Sequence, residues 1–253
     1  MNKQTDIRPW YSIRASASGE AELWIYDEIG EDFWGEGTSA KTFCRELAAL
    51  DVERIALHIN SPGGAVFDGQ AIYNALRAHP ATITTYIDGV AASIASVVAL
   101  AGERVVMAEN ALFMIHEPYV GVIGTADELR NMAGLLDKIS DSILAVYEAK
   151  TGAERETLVA AMAAETWYSA AEALEAGFVD EVAEPIRAAA SFDLSAFRYR
   201  HVPAALLSDS SPERALAPAV AETVAAADAK AAQVSEPIPW GARSVSAFVH
   251  RRP

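Results

Sequence analysis

The stretch RIALHINSPGGAVFDGQAIYNALRAHPATITTYIDGVAASIASVVALAG, residues 54–102, reads as strand, turn, helix, strand, helix. RIALHIN is a short run rich in branched apolar residues, stopped by the turn-forming SPGG. The segment AVFDGQAIYNALRAH then carries Val66, Ile72 and Leu76 at helical spacing. TITTYID predicts a second strand, ended by Gly89. VAASIASVVALAG is apolar nearly all round, which predicts a buried helix. Strands and helices alternating through short links specify an α/β fold.

The same alternation extends to both sides. AELWIYDEI alternates apolar and polar residues as a half-buried strand does, and ASASG predicts a turn between two edge strands. Ser39 is placed to cap a helix running through Leu50, with Phe43, Leu47 and Leu50 on one face. Downstream, RVVMAE and ALFMIHEP predict two strands separated by Glu109–Asn110. A long amphipathic helix follows over residues 125–150, a second over 154–164 and a third over 168–177, closed by Gly177. FVDEV predicts the last strand. After Pro185 the composition shifts to Ala, Ser and Pro with few periodic apolar positions, and only an Ala-rich helix around 213–233 is expected there. The chain thus divides into an N-terminal segment (1–20), one domain (21–187) and a largely disordered tail (188–253).

Composition narrows the function classes. A net charge of −15 repels phosphate backbones, so a nucleic-acid partner is not expected. The single cysteine, Cys44, excludes an internal disulfide and any multi-cysteine metal site. MNKQTDIRPWYS lacks the apolar run of a secretion signal, and the longest apolar stretch, residues 89–102, is too short to span a bilayer. The expectation is a cytoplasmic protein with no membrane partner.

Three segments carry chemistry. In GVAAS, Ser93 stands where a strand gives way to a helix, facing unpaired N–H groups and the positive end of the helix dipole. In HINSPGG, adjacent glycines let the main chain take conformations closed to other residues, so that the Gly64 N–H can be aimed into a cleft. In ALFMIHEP, His116 ends an apolar strand just before Glu117–Pro118. Each segment alone also fits a structural role. Among the five histidines no pair has metal-ligand spacing such as HxxxH, and no cofactor is called for.

Together, INSPGG (59–64), GVAAS (89–93) and MIHEP (114–118) resemble the Clp proteolytic subunit, a branch of the crotonase-like superfamily. Their order is the family's, with Ser93 and His116 23 positions apart, and WYSAAEALEAGFVDEV (167–182) is similar to the family's closing helix and strand. The resemblance spans about residues 20–185 and implies a ClpP/crotonase-like fold of repeated strand-strand-helix units with a protruding handle helix. It implies a serine endopeptidase with Ser93 as nucleophile, His116 as general base, and the N–H groups of Gly64 and Ile94 as oxyanion hole. The family's aspartate is replaced here by Glu165, four positions before Ser169, with Thr166 beside it to assist. The handle maps to residues 125–150 and implies a homo-oligomer of stacked rings acting on polypeptides. The family's axial-pore segment, which engages an ATP-dependent unfoldase, has no counterpart in residues 1–20. YDEIGEDFWGEGTSAKTF (26–43) instead is similar to the phage-encoded branch associated with capsid (prohead) maturation, where capsid or scaffold proteins are partners. Two alternatives stay open: an acyl-CoA-processing crotonase relative, and a catalytically inactive shell or scaffold protein that kept the fold.

Overall fold

The computed structural model describes residues 10–16, 18–30, 38–185, 194 and 197–203. An eight-stranded mixed sheet runs in the order β1 (Tyr11–Ala15), β2 (Glu20–Ile25), β3 (Arg54–Ser61), β4 (Thr82–Ala92), β5 (Arg104–Ala108), β8 (Glu181–Ala183). β6 (Leu112–Ile115) pairs with β4, and β7 (Thr166–Ser169) pairs with β6. The helices are α1 (Ala40–Ala48), α2 (Val66–Ala78), α3 (Ile94–Ala99), α4 (Ala126–Thr151), α5 (Arg155–Ala164) and α6 (Ala170–Glu175). The α/β expectation is met.

β2 to β5 and β8 are parallel; α1, α2 and α3 make the crossovers from β2 to β5 in the way parallel strands require, and β8 follows α6. Their inward residues, Leu23, Ile25, Ile55, Leu57, Ile59, Ile83 and Ile87, are buried against Phe43, Leu47, Ile72 and Leu76 of the helices. Burying each such side chain contributes about 1.5–3 kcal/mol, which explains why apolar spacing located these elements. β1 adds an antiparallel edge to β2 ahead of residue 21. Cys44 is half-buried against this core, and burial pushes its thiol up.

β4 differs from expectation. It does not stop at Gly89 but continues to Ala92, because Val90, Ala91 and Ala92 pair with Leu112, Phe113 and Met114 of β6. The first half of β4 pairs instead with β5, so the strand leaves one neighbour for another midway. On its other side the register to β3 shifts between Ile59 and Ser61, and the buried Asn60 side chain accepts the Val90 N–H at 3.0 Å. Only six residues of the expected apolar helix remain helical. The third downstream helix is likewise shorter, because Thr166–Ser169 pairs antiparallel with β6.

The helix starts differ in how they are capped. Thr125 and Glu128 form a capping box on α4, and Ser169 and Glu172 form one on α6. Ser39 sits at the N-cap of α1 without a side-chain bond. The 26 residues of α4 make a helix about 39 Å long at 1.5 Å per residue. Its second half is anchored by Ile139, Ile143, Leu144 and Tyr147, whereas the first half stands off the core, with Leu129 and Leu135 exposed. The expected Ala-rich helix at 213–233 lies outside the described residues. Among the described residues no helix is long and apolar enough to cross a membrane.

Candidate active site

Ser93 is the one residue between β4 and α3, and its backbone takes φ 55° and ψ −129°. For a residue with a Cβ this conformation stores about 1–3 kcal/mol of strain, which the surroundings must hold. They do so on both sides. The Ser93 N–H donates to the Met114 carbonyl of β6 at 3.0 Å. The Ser93 carbonyl accepts from both the N–H and the hydroxyl of Ser96, and that hydroxyl in turn bonds to the buried Tyr147 hydroxyl at 2.7 Å. The sharp turn leaves the Ser93 side chain in a cleft of about 230 Å³ also lined by Glu28, Gly64, His116, Tyr119 and Tyr199.

His116, 23 positions after Ser93, follows the last residue of β6, and the pairing of β6 with β4 sets it beside Ser93. His116 Nε2 lies 2.7 Å from Ser93 Oγ. Burial lowers the His116 pKa below the usual 6.5; the Glu165 carboxylate opposes this and the Arg200 guanidinium adds to it. At neutral pH the ring is therefore a neutral imidazole able to accept a proton.

The SPGG turn is built for close approach. Ile29 forms an isolated bridge with Gly64, in which the Gly63 carbonyl and the Ala65 N–H are used while the Gly64 N–H is not. Gly64 has φ +142°, and a Cβ there would fall 2.2 Å from the Ile29 carbonyl oxygen. Ile94 is the first residue of α3, where no intrahelical acceptor exists for the N–H. Gly63 has φ +105°, and a Cβ there would lie 2.7 Å from the Ser93 Cβ. Gly63→Ala is therefore expected to destabilise the protein by about 1–3 kcal/mol from backbone strain alone. It also displaces Ser93 from His116, so a thermal melt and a peptidase assay should both fall; an unchanged pair would contradict this packing.

Glu165 is buried at 3% exposure and, like Ser93, adopts a positive φ, of 53°. Its carboxylate accepts from the backbone N–H groups of Arg200 and His201 at 2.7–2.8 Å and from the Trp167 indole at 3.4 Å. Burial pushes its pKa up, but these donors and His116 outweigh that and hold it below the ordinary glutamate value. It thus acts on His116 through its charge, while its hydrogen bonds run to the chain at 200–201. Thr166 does not turn to the histidine: its hydroxyl donates to the Ala161 carbonyl at 2.7 Å.

The expectation for 188–253 is a largely disordered tail, yet residues 197–201 (FRYRH) pack onto the site. The Tyr199 ring meets His116 edge-on at 5.4 Å and Trp167 at 5.7 Å, and stacks on Phe197. Its hydroxyl donates to the Pro62 carbonyl. Two aromatics and three basic residues in five positions, within an Ala-, Ser- and Pro-rich stretch, were the sequence signal for this contact. Among the described residues no three His, Cys, Asp or Glu side chains cluster as a metal site would need.

Comparison with known proteins agrees with this architecture. The family model described as Clp protease matches residues 8–185. The ATP-dependent Clp protease proteolytic subunit 1 of Leifsonia xyli subsp. xyli is 33% identical over 165 residues, covering 64% of this chain and 82% of that protein. The proteolytic subunit of Deinococcus radiodurans is 31% identical over 189 residues, covering 70% of this chain and 93% of that protein. Among solved structures, a mutant of ClpP1 from Listeria monocytogenes superposes with a TM-score of 0.57 at 25% identity, over 64% of this chain and 91% of that one. The fold is thus the ClpP/crotonase-like one. With a match over well more than half its length, the chain belongs to the Clp protease family of peptidases.

Proposed function

We propose that this protein is a serine endopeptidase that works through an acyl-enzyme on Ser93. The observation that carries the reading is the 2.7 Å contact between His116 Nε2 and Ser93 Oγ at a strained strand-to-helix turn. His116 takes the hydroxyl proton as Ser93 Oγ adds to the scissile carbonyl carbon. The oxyanion is stabilised by the N–H groups of Gly64 and Ile94, worth about 2.7–4 kcal/mol per donor in comparable sites. The tetrahedral species collapses as His116 gives its proton to the leaving amine, and water then hydrolyses the ester by the same base. Glu165 supports the imidazolium electrostatically. No cofactor or metal enters these steps.

The substrate is polypeptide. The exposed apolar side chains of the protruding half of α4 and the loop before it, Val122, Ile123, Leu129 and Leu135, support self-assembly into stacked rings. The relatives' names describe ATP-dependent proteases, which supports an ATP-driven unfoldase as partner. The likeness of residues 26–43 to the phage-encoded branch supports capsid or scaffold proteins as substrate and the host cytoplasm as the place of action. A second reading, a catalytically inactive shell or scaffold protein, is favoured by one observation: the Glu165 hydrogen bonds are spent on Arg200 and His201.

A fluorophosphonate probe decides between them. The peptidase reading expects covalent labelling mapped to Ser93, with a rate that depends on neutral His116. Because the His116 pKa is lowered, the rate should rise with pH to a half-maximum below 6.5 and stay high through neutrality. Absence of labelling in the assembled protein favours the scaffold; a midpoint above 6.5 contradicts the environment described for the base.

A further inference from the structure

Resting on the Ser93 reading, we propose that residues 197–202 form an autoinhibitory strap, which lies against the catalytic pair and holds the Glu165 carboxylate, so that full activity requires it to lift away.

The strap occupies space the substrate needs. Phe197 and Tyr199 wall the same cleft as Ser93, His116 and Gly64. At about 230 Å³ that cleft is smaller than the roughly 300–1,000 Å³ typical of small-ligand sites, and the two strap aromatics are part of what narrows it. Tyr199 sits on a small apolar patch of Val90, Ala92, Met114, Leu112 and Trp167, formed where β4, β6 and β7 meet. Its hydroxyl bridges to the Pro62 carbonyl, next to the glycine turn, and Ser93 is within interaction range of the same oxygen. A peptide lying across Ser93 therefore has to displace this ring.

The strap also takes over the acid. A carboxylate that orients a catalytic imidazole accepts its second N–H. Glu165 instead accepts two backbone N–H groups of the strap, and the Arg200 guanidinium lies 3.7 Å away, with a further bond to the Ala163 carbonyl. The groups facing the His116 ring are Ser93, Tyr119, Tyr199, Glu165 and Arg200, so the strap supplies both an aromatic cover and a cation. The attachment is suited to release. Residues 197–203 belong to no strand of the sheet, and the Arg200 side chain is 59% exposed.

The test uses the full chain carrying Tyr199→Ala, which removes the ring, or Arg200→Pro, which removes an N–H on Glu165. With the closed state relieved, fluorophosphonate labelling and hydrolysis of a short peptide should both rise about ten-fold, as the competent fraction rises. The His116 ring, followed by NMR, should titrate at higher pH in both variants, since burial and the Arg200 charge are reduced. Labelling that is unchanged or slower in folded variants overturns the strap and makes the segment part of the catalytic scaffold. If one variant fails to fold, the other decides. If neither wild type nor variants label, the Ser93 reading has failed, and the strap is judged on the His116 titration alone: an unmoved titration overturns it.

Discussion

Ser93→Ala is expected to lower kcat/KM for peptide hydrolysis by about 10⁴-fold or more while leaving the protein folded. The size of the loss follows from the chemistry: without Oγ no ester can form, and only the cleft and its backbone donors remain to act on bound substrate. The small structural effect follows from the turn. Ser93 makes no side-chain capping bond to α3, and the strained backbone is held by main-chain contacts to Met114 and Ser96. Alanine meets the same φ of 55° with the same Cβ, so the stability change should stay within about 1 kcal/mol. Peptide hydrolysis together with a calorimetric melt checks both halves. Residual turnover close to wild type removes Ser93 as nucleophile, and a collapsed melt shows that the side chain carries structural weight.

His116→Ala is expected to cost nearly as much as loss of the nucleophile, because members of such a unit fail together. Glu165→Ala should cost about 10–100-fold less than that, for two reasons that can be separated. The carboxylate raises the His116 pKa against burial, so its loss weakens the base and the imidazolium it becomes. At the same time its removal takes away the anchor of Arg200 and His201, which frees the cleft. Combining Glu165→Ala with Tyr199→Ala exposes the first effect alone: the double variant should fall below Tyr199→Ala. Equal losses for His116→Ala and Glu165→Ala would make Glu165 a full member of a triad rather than a supporting charge.

Much of the scaffold was legible in the chain because apolar periodicity reports directly on burial. Ile55, Leu57 and Ile59 alternate into the core, and Ile72 and Leu76 recur on one face of α2. TADE at the start of α4 and SAAE at the start of α6 are local capping signals that need no tertiary context. The boundary errors have a common origin. Gly89-Val-Ala-Ala looked like the start of a helix because small and apolar residues suit either state, and only pairing with Leu112–Met114 made it strand. The same holds for Tyr168 and Ser169, whose partner β6 lies over fifty positions earlier.

The sequence by itself determined the alternation of strands and helices through residue 164, the inward faces of those elements, and the three segments that hold Ser93, Gly64 and His116, since each depends on local spacing or local turn chemistry. Tertiary structure alone decided that β4 changes neighbours midway, that His116 Nε2 ends 2.7 Å from Ser93 Oγ, and that the Glu165 carboxylate faces the backbone of Arg200 and His201. Those outcomes depend on pairing and packing between segments distant in the chain, where a displacement of one ångström makes or breaks a hydrogen bond and no local pattern records which partner arrives.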